Sequence, residues 1–166
     1  FIAPQVLKGA FVVGASGGTG VFLVRGEGGR WTYPAFYTIG SVSFGFQIGG
    51  QASEVILLAM TDRGVTTLLQ NSVKLGADVG IAAGPYGAGA QAATANISAD
   101  ILAFSRSKGL YGGISLDGAI VDVRDSLNRA YYGKSVTPTD ILVKQNVSNA
   151  HADTLRASVA RISGGK

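Results

Sequence analysis

Residues 12–20 read VVGASGGTG. An apolar run entering a glycine-rich segment is how dinucleotide-binding enzymes begin, and Gly14-Ala15-Ser16-Gly17-Gly18 also fits the G-x-S-x-G of a hydrolase nucleophile elbow. Both readings require a helix directly after the glycines. In the dinucleotide site its N-terminal amides and dipole hold the pyrophosphate. Here Gly20 is followed by VFLVRGEGGR, a strand-like apolar run ended by more glycine. The spacing is not G-x-G-x-x-G either. The chain order Ser16, an aspartate, His151 is that of an α/β-hydrolase, but the one histidine falls in an expected tail helix and no parallel sheet is evident. The segment therefore reads as a turn between two strands, with small residues permitting positive φ or tight packing. No catalytic residue is assigned.

Working outward, the first two thirds of the chain have strand character. Val42, Phe44, Phe46 and Ile48 alternate with Ser43, Gly45 and Gln47, the period of a half-buried strand. Residues 53–60, SEVILLAM, form a nearly continuous apolar run, as in a strand covered on both sides. Asp117-Gly118 is a dipeptide favoured in type I′ hairpin turns, and β-branched residues follow it. Helix signals come between and after these strands. Thr61/Asp62 cap a segment over 61–70 with Val65, Leu68 and Leu69 on one face. A second helix runs from Asp125 to a stop at Gly133. Thr137-Pro138-Thr139-Asp140 supplies a cap, a proline at the first helical position and an acid at the third. From about 149 onward Ala152, Leu155, Val159 and Ile162 form one stripe with Arg156 and Arg161 off it, which predicts a docked helix with Leu155 and Val159 buried and both arginines in water. The pattern is that of one β-rich α+β domain of short antiparallel strands, a few short helices and a C-terminal helix.

Composition narrows the function. The chain has 166 residues, 46% of them hydrophobic and 14% charged, enough apolar surface for a single packed core. Its 25 glycines have no Gly-X-Y period, which excludes collagen. The absence of cysteine removes disulfides and thiolate chemistry. Asp117, Asp122 and Asp125 lack calcium-loop spacing, and a single histidine without cysteine does not build a zinc site. Gly84–Gly89 is glycine-rich but has no following Lys-Ser/Thr, so it reads as a turn rather than a phosphate loop. No metal or cofactor is expected. The +4 net charge is concentrated after residue 141, where Lys144, Arg156, Arg161 and Lys166 face only Asp153. No two basic residues are adjacent, which argues against nucleic acid as a partner. The chain opens on Phe1 and an apolar stretch, so a leader, anchor or helix is expected upstream.

A series of longer motifs resembles the SYLF domain family. They are PxVxKGAFVVG at 4–14, GRWTYPAFYTIG at 29–40, SFGFQIGGQASEVILLAM at 43–60, KLGADVGIAAGPYG at 74–87, SRSKGLYGGISLDGAIVDVR at 105–124 and NRAYYGK at 128–134. They occur in the family's order and cover residues 1–143 as a SYLF-like domain, leaving 144–166 as a helical tail. The WTYPAFY and AAGPYG wording looks more like bacterial members. The resemblance implies a non-enzymatic domain that contacts anionic phospholipids or phosphoinositides at a membrane surface. It implies a periplasmic or outer-membrane-associated protein if bacterial, and a cytoplasmic one if eukaryotic. The alternative is an exported structural or protein-interaction module, with a serine hydrolase third.

Lipid contact needs basic groups beside amphipathic aromatics. Arg106 and Lys108, two apart in SRSKG, face the same way on an extended segment, where arginine grips phosphate bidentately. Lys8, Arg25 and Arg30 are further candidates, and Trp31 and Tyr33 suit a boundary that is apolar on one side and wet on the other. The plainer alternative has the charges solvated and Trp31, Tyr33 and Phe36 filling the core.

Overall fold

The computed structural model describes residues 1–10, 13–44, 49–84, 99–107, 110–113, 116 and 118–164. The strands are β1 (Ile2–Ala10), β2 (Val13–Phe22), β3 (Ala35–Phe44), β4 (Gly49–Ala59), β5 (Ser72–Lys74), β6 (Ile81–Ala83), β7 (Ile101–Ser107), β8 (Leu110–Gly113) and β9 (Ile120–Val123). They form one nine-stranded sheet in the order β5-β9-β3-β2-β1-β4-β7-β6, with β8 also on β7. All pairs are antiparallel except β6 with β7. The helices are α1 (Asp62–Leu68), α2 (Asp125–Tyr132), α3 (Pro138–Leu142) and α4 (Asp153–Ser163), with 3-10 turns at Glu27–Gly29 and Ala150–Ala152. This is a single α+β domain.

The core follows the period of two. Ala35, Tyr37 and Ile39 of β3, Val55 and Leu57 of β4, and Val121 of β9 are all buried and belong to one cluster. Tyr37 is central to it. Its ring meets Phe1 and Phe22 edge-on, at centroid distances of 6.4 and 6.1 Å, and its hydroxyl donates to the Leu68 carbonyl at 2.8 Å. Ile141 and Leu142 of α3 complete the cluster from the helical side.

The helix signals in the sequence correspond to real caps. Thr61 Oγ1 accepts from the Gly64 amide at 3.0 Å and donates to Asp100 at 2.7 Å. Asp100 also accepts from the Gly80 amide, and these bonds, led by that from Thr61, hold its carboxyl below the usual range. Asp125 opens α2, and Gly133 closes it at φ +72°. Thr137 and Asp140 form the reciprocal capping box that starts α3. Asn128, fully buried on α2, accepts from the Phe36 amide at 2.8 Å and donates to the Phe36 carbonyl at 3.4 Å, tying the helix to β3.

Three sequence expectations change. Gly14–Gly20 is no turn: it is the interior of β2, paired with β1 on one side and with β3 on the other. Ser16 sits opposite Lys8 and Ser41 in mid-strand, so no nucleophile elbow exists there. Of the expected Asp117-Gly118 hairpin turn, Asp117 lies outside the described residues; the Ala119 amide donates to Leu116 O at 3.0 Å and Gly118 has φ +85°, yet the flanking strands β8 and β9 do not pair with each other. β8 pairs with β7, whereas β9 pairs with β3 and β5, so the turn joins strands on opposite parts of the sheet. β4 is covered on one side only: Val55 and Leu57 are buried, while Leu58 is exposed. Of the alternating stretch 42–48, residues 42–44 end β3 and 45–48 lie outside the described residues.

Candidate interaction surface

The chain between β2 and β3 meets α4. Trp31 and Tyr33, two apart and both half-buried, reach the same helix. Trp31 Nε1 donates to Ser163 Oγ at 3.0 Å, and the Tyr33 hydroxyl donates to Asp153 Oδ1 at 3.3 Å. Arg156 lies between these ends. Its guanidinium sits 4.0 Å above the Tyr33 ring centroid, its Nε donates to the Trp31 carbonyl at 3.0 Å, and it pairs with Asp153 at 3.6 Å. Arg156 is therefore a half-buried clasp and not a solvated charge. The apolar stripe is correspondingly weaker than expected: Ala152 is buried, Leu155 and Val159 are half-buried, and Ile162 is 77% exposed. A short helix without a buried residue of its own gains most from such specific contacts. Arg156→Ala is expected to cost about 1–2 kcal/mol, from the lost stacking and the unpaired Trp31 carbonyl, and Arg161→Ala close to nothing. Urea denaturation of both variants checks this; equal losses would contradict it.

Two motifs a hundred positions apart meet beside the clasp. The Tyr132 hydroxyl donates to the Pro34 carbonyl, and the Phe36 and Tyr131 rings lie 5.0 Å apart. Tyr131 in turn faces Tyr132 and shares a 3.3 Å hydrogen bond with His151 Nδ1. Burial raises the phenol pKa of both tyrosines, with Asp153 adding to the effect at Tyr131. His151 is thus committed to Tyr131, while Ser16 lies on β2, in register with Lys8 and Ser41. The sequence gives His151 and Arg156 no distinguishing signal, because both act across long separations.

Beside Trp31 an apolar groove of about 250 Å³ runs between α4 and the β1–β4 pair. Ile2 and Ile56 lie along it with Leu23 and Trp31 from the hairpin and Val159 and Ile162 from the helix; Leu58, 44% exposed, continues it along β4.

The basic candidates fall in three places. Arg25 and Arg30 are exposed at the hairpin tip, where Arg25 is bridged across to Trp31. Arg106 is on β7, three strands from β2 and about 14 Å away laterally at ordinary strand spacing, where it pairs with Glu54 of β4 at 3.6 Å. Lys8 is on β1, six residues or about 20 Å along the strand from Ile2 and the groove. Lys108 lies outside the described residues. No group of three His, Asp or Glu able to hold a metal occurs among the described residues. No helix among them is long and apolar enough to cross a bilayer.

A family model described as "Ysc84: Las17-binding protein actin regulator" matches residues 40–162. The chain belongs to the Ysc84 family. This is the SYLF family indicated by the motif series. Among Ysc84-family relatives, the chain is 31% identical over 153 residues to human "SH3 domain-containing YSC84-like protein 1", covering 91% of this chain and 45% of that protein. The Xenopus laevis protein of the same name is 34% identical over 132 residues, 78% of this chain and 39% of the relative. "Protein YSC84" of Saccharomyces cerevisiae is 31% identical over 142 residues, 82% and 30% respectively. The chain spans less than half the length of these relatives. All three are eukaryotic, and they lend no support to the bacterial, periplasmic reading.

Proposed function

We propose that this domain is a non-catalytic protein-binding module of actin regulation. The observation that carries this reading is the family match over 40–162, whose description names an actin regulator and a protein partner. It is supported by an exposed apolar groove, the kind of surface that marks interaction sites. The reading adopts the cytoplasmic alternative, in keeping with the eukaryotic relatives. The test is capture of purified yeast Las17 by the immobilised domain, alongside co-sedimentation of the domain with filamentous actin. Saturable binding to either is expected, and binding to neither would overturn the reading.

A second reading, contact with anionic phospholipid or phosphoinositide, is favoured by exposed Arg25 and Arg30 around half-buried Trp31 and Tyr33. Arg106, Lys108 and Lys8 would have to act elsewhere on the molecule. Basic side chains contribute about 1 kcal/mol each near an anionic surface, so binding through this tip alone is weak. Liposome co-sedimentation should favour anionic over zwitterionic vesicles and weaken with salt. Equal, salt-insensitive uptake on both would remove it.

A further inference from the structure

We propose that the groove between α4 and the β1–β4 pair docks an acidic, apolar peptide segment of a partner protein. The proposal rests on the protein-binding reading and gives that reading a site and a ligand chemistry. The volume of about 250 Å³ falls just below the roughly 300–1,000 Å³ usual for small-molecule pockets. It suits the side chains of a segment lying along an open channel. The rim continues this surface, because Leu58 and Ile162 are both exposed and Met60, two residues beyond Leu58, is 50% exposed. Three large apolar side chains in water at the edge of an apolar groove form a contiguous patch that a partner can cover.

Charge selects the partner. Arg25 stands across an antiparallel bridge from Trp31 and two residues from Leu23, both of which line the groove, so it follows them on the same side of the hairpin towards the tip, where its guanidinium lies beside Gly29. It is exposed and has no ion-pair partner among the described residues. On the facing helix the nearest acid, Asp153, is already taken by Tyr33 and Arg156. Arg25 thus offers a guanidinium with no ion-pair partner among the described residues, and the one carboxylate of α4 is already engaged. A peptide whose bulky apolar residues cover Ile2, Ile56 and Leu58 places an adjacent Asp or Glu at Arg25, whose planar fork matches a carboxylate.

The probe is a random peptide display library selected on the whole domain, followed by fluorescence anisotropy with an enriched synthetic peptide. Enriched sequences should join bulky apolar residues to Asp or Glu. Binding should weaken about tenfold or more in Leu58→Glu and in Arg25→Glu, recover in Arg25→Lys, and stay unchanged in Lys74→Glu on the far edge of the sheet. Absence of enrichment, enrichment of basic or wholly polar peptides, or undiminished, wild-type binding by both groove variants overturns the proposal. So does displacement of the peptide by oleate or anionic vesicles, which assigns the groove to lipid, or a wild-type dimer that Leu58→Glu dissociates, which assigns it to a second copy. If Leu58→Glu does not fold by circular dichroism, the Arg25 pair alone decides. Las17 and actin binding measured on the same variants separates the two readings. Partner binding that is unaffected by either variant leaves the protein-binding reading standing without the groove, and peptide binding without partner binding does the reverse.

Discussion

A polypeptide that starts at Phe1 with a free amine is expected to lose about 3 kcal/mol of stability between pH 8 and pH 5, relative to the same chain acylated at that nitrogen. The Phe1 nitrogen is fully buried and donates to the Leu57 carbonyl at 2.8 Å, as a strand amide would. Burial of a positive charge lowers its pKa from 8.0 to about 5. The unfolded chain therefore binds the proton first as pH falls, so stability is full above pH 8 and declines down to about pH 5. Three pH units correspond to about 4 kcal/mol. The chain can escape part of this by peeling Phe1 away, at the expense of its buried ring, about 2–3 kcal/mol, and of the edge-on contact with Tyr37. Acylation keeps the N–H donor and removes the charge. Urea denaturation of both forms at the two pH values cancels the titration of carboxylates, which the forms share. Parallel pH profiles would show that the amine reaches water in the folded state.

How much of this was legible in the sequence depends on the range of the interaction. Caps are local, so Thr61, Gly133 and the Thr137/Asp140 box could be read directly, and the helices they bound lie where expected. Sheet pairing is not local. Asp117-Gly118 carries a turn signal that is silent about β9 going to β3 and β5. A continuous apolar run cannot show which of its faces will be covered, and SEVILLAM left Leu58 in water for that reason. The surface was legible only in part. Trp31 and Tyr33 stood out by type, and the structure brings them together with Arg25 and Arg30. Arg156 looked like any arginine on the polar side of an amphipathic helix. Its role depends on the Trp31 carbonyl and Tyr33 ring more than a hundred residues earlier.

Gly17 and Gly20 should respond to alanine with opposite signs, although both sit in the same glycine-rich strand. Neither has the positive φ that a turn would demand, so the difference comes from space alone. A Cβ at Gly20 would lie 2.6 Å from the Ile2 carbonyl oxygen and 2.5 Å from Cζ of the Phe1 ring. The ring can move, but the carbonyl belongs to the adjoining strand β1, and shifting it disturbs the β1 pairings with both β2 and β4. Overpacking of this kind in a tight interior costs about 3 kcal/mol, and more for valine. At Gly17 the nearest atom to a new Cβ among the described residues is the Ile39 carbonyl oxygen at 4.0 Å, and the residue is exposed. Alanine there restricts the unfolded chain without straining the strand and should stabilise by about 0.5 kcal/mol. Valine should be tolerated as well, since a β-branched side chain suits an open strand position. Denaturation midpoints of the single variants measure both effects. Comparable losses at the two sites would mean that Gly17 needs a backbone conformation closed to other residues, and would restore the reading of VVGASGGTG as a turn.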